Sequence, residues 1–259
     1  MTADDDPAGG FYDRLAADYH LIHIDWNETL KRQAVLLDRL ITARIGPGPH
    51  RLLDCACGIG TQAIGLAALG HEVHASDISA KSVARAEREA RERGVALTTS
   101  VADMRRLGAG DGFDVVLACD NPLAHLLDDA DLDAAAAGMA AALAPGGLLL
   151  ASSRDYDAIA AGKPDGQPPR VMGKAPDRRI VFQLWDWEPG GLTYRAELFI
   201  LREDGDAWIA TSEATRLRAW PRAAIGGALE GAGLAHVEWL ASNRTGYYQQ
   251  MVTARKPGG

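Results

Sequence analysis

Between residues 51 and 153 the chain alternates short, almost wholly apolar runs with longer amphipathic ones. The runs 51–56, 71–76, 95–101, 113–119 and 148–153 are strand-length. The fourth, Phe113-Asp114-Val115-Val116-Leu117-Ala118-Cys119, is nearly unbroken, as expected for a strand covered on both faces. Helical runs at 62–69, 79–93 and 128–144 fall between them, closed by Gly70, by Gly94 and by Pro145-Gly146-Gly147. Such β/α alternation predicts a parallel sheet with right-handed crossovers, a doubly wound α/β domain. Ahead of it, residues 29–45 carry Leu30, Ala34, Leu37 and Ile41 at helical spacing and stop at Gly46-Pro47-Gly48-Pro49. Behind it the pattern changes. A basic, proline-rich stretch at 163–179 reads as a loop, and 180–187, 192–201 and 207–217 read as hairpin-linked antiparallel strands. A helix at 221–231 and a final antiparallel pair at 234–240 and 247–254 end the pattern. The expected architecture is a Rossmann-like, mostly parallel sheet with an inserted antiparallel three-stranded sheet. It divides into a disordered tail at 1–10, a helical lid at 11–48, a nucleotide-type domain at 49–157 and 219–257, and the insertion at 158–218.

The candidate chemistry gathers on one edge of that sheet. In Asp54-Cys55-Ala56-Cys57-Gly58-Ile59-Gly60-Thr61 a strand passes through a glycine turn into a helix. Backbone N–H groups at such a helix start are unpaired, so a polar or anionic ligand group is favoured there. Gly58, Asp77, Asp103, Asn121 and Arg154 all fall at the carboxyl ends of the five expected strands, the edge where open α/β sheets bind ligands. Asp77, 17 residues after Gly60, has the spacing of a ribose-binding carboxylate; capping the next helix is the alternative, and Ser79 can do that itself. The glycine turn alone suits a dinucleotide as well as S-adenosylmethionine (SAM).

Composition narrows the class. The chain has 259 residues, 47% of them hydrophobic, enough for one large core. Its formal charge is −8 with no basic block, which argues against nucleic acid as the main partner. No apolar run is long enough to span a membrane, and the acidic start is unlike a secretory signal, so a cytoplasmic protein is expected. Cys55, Cys57 and Cys119 read as small buried thiols, because one Cys-x-Cys pair without a second is a poor zinc signal; no metal is expected.

Taken together, Leu53 to Thr61, Asp77, Ala102-Asp103-Met104 and the run Leu143-Ala144-Pro145-Gly146-Gly147-Leu148 resemble class I SAM-dependent methyltransferases over about residues 45–155. Asp120-Asn121-Pro122-Leu123-Ala124-His125-Leu126, Arg154-Asp155-Tyr156-Asp157 and the inserted sheet are similar, more narrowly, to glycine and glycine/sarcosine N-methyltransferases. The resemblance implies SAM as cofactor and S-adenosylhomocysteine as product. It implies that Arg32 holds the SAM carboxylate, that Asp54 lies near the SAM ammonium, and that Asp103 and Met104 meet the adenine. Ala56, Gly58, Gly60, Asp77, Ile78, Asp120, Asn121 and His125 complete the cofactor set. It further implies that Arg154 clamps a substrate carboxylate and Asn121 orients the acceptor, with Tyr194 as the third catalytic candidate. Tyr19, His23 and Tyr248 are substrate-wall candidates whose alternative is core packing. Pro122 departs from the serine or alanine that relatives often carry there.

The expected reaction is transfer of the SAM methyl group to the amine of a small amino-acid-like acceptor, glycine or sarcosine in type. The alternative is N- or O-methylation of another small molecule, such as a natural-product intermediate. A non-catalytic SAM-binding protein and a nicotinamide oxidoreductase are the competing classes. The expected partner is a small molecule rather than nucleic acid or membrane, and a homo-oligomer is compatible with the sequence.

Overall fold

The computed structural model describes residues 7–108, 110 and 112–258. Seven strands form the main sheet in the order β10-β11-β5-β4-β1-β2-β3. They are β1 (Arg51–Asp54), β2 (Glu72–Asp77), β3 (Thr98–Val101), β4 (Phe113–Ala118), β5 (Leu143–Ser153), β10 (Ala235–Leu240) and β11 (Gln250–Arg255). β1 to β5 are parallel neighbours, and β11 runs antiparallel between β5 and β10. Successive side chains of each strand alternate between two cores. Leu53, Val116, Ala118, Leu149 and Ala151 face α5 (Asp129–Ala142) and α7 (Arg222–Gly231). Leu52, Val115, Leu117, Leu148 and Leu150 face α2 (Trp26–Ile45) and α3 (Thr61–Ala68). Both faces are thus covered, which is why β4 reads as a continuous apolar run.

Helix starts follow local capping chemistry. The side chains of Asp25, Ser79 and Asp128 accept backbone N–H bonds at the starts of α2, α4 (Ala80–Glu92) and α5. Ser79 thus caps α4, and Asp77 is left for other work.

The insertion differs from expectation. It is a four-stranded antiparallel sheet, β6 (Gly166–Met172), β7 (Arg179–Trp187), β8 (Thr193–Asp204) and β9 (Ala207–Arg218), in that order. The extra strand, β6, lies inside the stretch read as a loop. Its Pro168 and Pro169 sit at an edge position, where a missing N–H costs no ladder bond, and the register shifts between Gln167 and Arg170. The tail expectation is also shortened: Pro7–Leu15 form α1, and residues 1–6 lie outside the described residues.

α1 and the 3₁₀ turn Tyr19–Ile22 lie between the insertion and the main sheet. Phe11 and Leu15 pack on Met172, Val181, Leu198 and Ile200. Arginines from two elements hold this segment by its carbonyls: Arg85 on α4 donates to Ala16 O (2.6 Å) and Ala17 O (2.7 Å), and Arg179 on β7 donates to Leu21 O (2.8 Å). No helix among the described residues is long and apolar enough to cross a membrane.

Arg85 is buried and also lies over the Trp26 ring. Arg85→Ala leaves two carbonyls without their charged donor and is expected to cost about 2–3 kcal/mol. Denaturant unfolding checks this, and faster proteolysis within residues 7–25 should accompany it. An unchanged midpoint would mean that the arginine does not hold the segment.

Candidate functional site

The glycine turn is shaped by two different demands. Gly58 has φ +52°, and a Cβ there would point into open space, so the backbone is bare where a ligand approaches. Gly60 has φ +91°, and a Cβ would come within 2.7 Å of Ile64 Cδ1 and 3.1 Å of Ala86 Cβ; this glycine serves packing of α3 against α4. Asp77, at the end of β2, locks the turn. Its Oδ2 accepts from Gly58 N–H at 2.8 Å and its Oδ1 from Ser79 N–H at 2.9 Å. A carboxylate has about four acceptor sites, so both oxygens keep capacity for ribose hydroxyls.

Gly58 and Asp77 line a cleft with Ala56, Ile78, Met104 and Asp120, while Gly60 does not reach it. Its charged lining is acidic: Asp77, Asp103 and Asp120. Among the described residues the one lysine or arginine of the lining, Arg105, is paired with Asp103 (2.6 Å) and Asp131 (2.9 Å). Asp54 stands behind the turn, wholly buried, with its Oδ2 unpartnered. A pyrophosphate would be repelled here, whereas the sulfonium and ammonium of SAM are suited to it. The bare turn at Gly58, the free acceptor capacity of Asp77 and the orphaned Asp54 oxygen all fit SAM.

The second cavity opens on the insertion side. Tyr12, Tyr19, Asp120 and His125 line both cavities and mark their junction. Arg154, half-buried at the end of β5, projects into the second cavity. Its guanidinium reaches Tyr194 OH and Gln183 Oε1, each at 3.4 Å, and lies 5.1 Å from the Trp185 ring centroid. It forms no ion pair among the described residues. Asn121 accepts from Arg154 N–H at 3.2 Å and donates to Tyr156 OH at 2.9 Å, which lies 3.1 Å from Tyr194 OH.

Several expected residues therefore stand elsewhere. Arg32 is exposed on α2 and lines neither cavity; its buried neighbour Gln33 faces inward. Asp103 lines the cofactor cavity with its carboxylate held by Arg105, while Met104 is free of such a tie. Tyr194 is fully buried behind Arg154 and lines neither cavity, so its phenol positions the guanidinium. Asn121 lines the acceptor cavity but has both ends of its amide engaged within the protein. Tyr19 and Tyr248 line the acceptor cavity, and His23 does not. Cys55, Cys57 and Cys119 are buried free thiols, and all three line the cofactor cleft, their ionisation pushed up by burial.

Two features carried no role in the sequence. Tyr12, in the aromatic cluster after residue 10, hydrogen-bonds His125 Nε2 at 2.9 Å across both cavity walls. Tyr247 donates to Asp120 Oδ1 at 2.5 Å and accepts from Gln62 Nε2 at 3.1 Å, while Gln62 also donates to Gln33 Oε1 at 2.7 Å. Burial pushes the phenols of Tyr12, Tyr19 and Tyr247 up, so at neutral pH they are donors rather than bases.

Asp77→Ala removes the lock on the turn and the free acceptor sites; SAM affinity should fall by about 10-fold or more, read by calorimetry. Unchanged affinity would remove Asp77 from the site. Burial pushes the Asp54 carboxyl up to about 8, opposed by a long hydrogen bond from Ala56 N–H at 3.4 Å. The folded chain thus keeps a proton that the unfolded chain loses from about pH 4 upward, so stability without cofactor should fall as pH rises from about 4 to about 8. Asp54→Asn should flatten that slope in denaturant melts at pH 5 and pH 8; an equal slope in both proteins contradicts it.

Comparison with known proteins agrees with this geometry. Residues 52–147 match the family model described as a methyltransferase domain. The chain is 35% identical over 191 residues to the glycine/sarcosine N-methyltransferase of Parasynechococcus marenigrum, the match covering 69% of this chain and 66% of that enzyme, just under two thirds of its length. It is 31% identical over 144 residues to dTDP-3-amino-3,6-dideoxy-alpha-D-glucopyranose N,N-dimethyltransferase of Streptomyces fradiae, covering 56% of this chain and 54% of that one. The fold matches Streptomyces venezuelae DesVI with a TM-score of 0.79 at 21% identity, over 94% of this chain and 98% of that one. It also matches SAM-bound CalS10, an amino pentose methyltransferase from Micromonospora echinaspora, with a TM-score of 0.71 at 22% identity, over 88% and 91%. Sequence motifs, sheet order, the acidic cleft and these relatives converge: the chain belongs to the class I SAM-dependent methyltransferases, with SAM as its cofactor.

Proposed function

We propose that this chain methylates the amine nitrogen of a small molecule that carries an anionic group, with amino acids of the glycine and sarcosine type as the smallest members of that class. The observation that carries the reading is Arg154: a guanidinium at the wall of the acceptor cavity, braced by Tyr194, Gln183 and Trp185, with no carboxylate paired to it among the described residues. Such a planar fork binds a carboxylate or phosphate bidentately. Asn121 holds the Arg154 backbone and thereby ties the end of β4 to the end of β5. The names of the relatives, glycine/sarcosine and amino-sugar N-methyltransferases, lie in the same chemical class.

SAM, when bound, supplies an electrophilic methyl group on a sulfonium. The chain's part is placement: Arg154 fixes the acid end of the acceptor, the Tyr12, Tyr19, His125 and Asp120 junction receives the amine, and little new charge needs stabilising. In this reading residues 11–48 cover the cleft, 49–157 with 219–257 hold the cofactor, and 158–218 wall the acceptor.

A second reading keeps the chemistry and enlarges the acceptor. Besides Arg154, the arginines Arg170 and Arg222 also line this cavity. Several cations around one cavity suit a larger anionic acceptor, such as a nucleotide-linked amino sugar, better than a free amino acid.

Arg154→Ala should lower kcat/KM for an acidic amine by about 100-fold or more while SAM affinity holds, because it strips the partner from a charged group. Mass spectrometry with glycine, sarcosine and amino-sugar nucleotides reads the rates. Unchanged turnover of the true acceptor would exclude the clamp, and exclusive O-methylation would exclude the amine reading.

A further inference from the structure

At the end of β4 two successive non-glycine residues adopt left-handed backbone, Asp120 at φ 70° and Asn121 at φ 73°. Aspartate and asparagine tolerate this region better than most residues, but a glycine would hold it without strain. The backbone is fixed from outside: Asp120 N–H donates to Ser152 Oγ at 2.8 Å, and Ser152 donates to Gln249 Oε1 at 2.8 Å. The carboxylate is fixed as well, since the buried Tyr247 phenol lies 2.5 Å from Oδ1, nearer than its other acceptor, Gln33 Oε1, at 3.3 Å. Strained backbone held by this many contacts, and lining both cavities, belongs to a working site.

We propose that Asp120 is the proton acceptor for the incoming amine, with Tyr247 as its positioning residue. The assignment rests on the amine reading above. An ammonium entering the junction hydrogen-bonds the Asp120 carboxylate; an N–H bond breaks, an O–H bond forms on Asp120, and the electron pair stays on nitrogen. That pair then forms the N–C bond as the methyl leaves sulfur, whose bonding pair remains on sulfur. The proton on Asp120 is released to solvent, which balances one proton per methyl transferred. Among the described residues Asp120 is the one carboxylate that lines both cavities. Asp77 takes two backbone N–H groups, Asp103 is held by Arg105, and Asp155 accepts from Ala158 N–H and lies near Arg222. His125 shares Nε2 with the Tyr12 hydroxyl, and the phenols of Tyr12 and Tyr19 are pushed up by burial. The titratable groups that face Asp120 are Tyr19, His23, Asp54, Cys119, Tyr247 and Tyr248.

The test compares wild type, Asp120→Asn, Asp120→Gly and Tyr247→Phe. SAM affinity is read by calorimetry, and kcat and KM for glycine, sarcosine and dTDP-3-amino-3,6-dideoxyglucose are read across pH. Asparagine keeps the backbone preference and glycine relieves it, so both variants should fold. Assayed at saturating SAM, both should lose about 100-fold or more in kcat at pH 7, the usual size of a general-base contribution. The loss should shrink toward about pH 9.5, where solvent has already deprotonated much of the amine. Tyr247→Phe should show a smaller loss of the same pH form. A loss equal at every pH or full activity in Asp120→Asn overturns the assignment, as does the pH signature appearing in His125→Asn instead. If wild type itself methylates no amine of the panel, the amine reading fails and takes Asp120 with it; if wild type methylates an amine and Asp120→Asn matches it at pH 7, only the Asp120 assignment fails.

Discussion

The backbone reversal after β4 is the constraint on which the site depends. Two consecutive left-handed residues cost about 1–3 kcal/mol each and persist only because neighbours over-determine them. Ser152 and Tyr247 hold Asp120, while the Arg154 N–H and Tyr156 hold Asn121. The same contacts do the functional placement. They set a carboxylate at the junction of the two cavities and fix the end of β5 from which Arg154 projects.

Charge is divided across that junction. Asp77, Asp103 and Asp120 outnumber Arg105 on the cofactor side, with Asp54 buried behind it, and Arg154, Arg170 and Arg222 outnumber Asp120 and Asp155 on the other. In a partly desolvated cleft such a division discriminates strongly, favouring a cationic cofactor on one side and an anionic acceptor on the other. The inserted sheet supplies half of the arrangement, because Gln183, Trp185 and Tyr194 all brace Arg154. Its edge strand β6 supplies Arg170.

The main sheet was legible because its central strands β1, β4 and β5 are buried on both faces and the starts of α2, α4 and α5 carry side-chain caps, so local pattern and tertiary role agree. β6 was not, since Pro168 and Pro169 speak against a strand and only the edge position admits them. The placement of Gly58, Asp77 and Arg154 at or just beyond strand ends was legible from the strand pattern. Arg32 shows the limit of carrying a role across by position along a helix: one residue of rotation puts Gln33 inside and the arginine in solvent. The pairs Tyr12–His125 and Tyr247–Asp120 join residues more than a hundred positions apart, so no local spacing announces them.

The most direct measurement is carbon NMR of the products formed when the purified chain is given SAM labelled with ¹³C in its methyl group and the panel of acidic amines. The account predicts a labelled N-methyl signal that requires the chain. A labelled O- or C-methyl product from these acceptors, or bound SAM with no transfer to any of the amines, would contradict it.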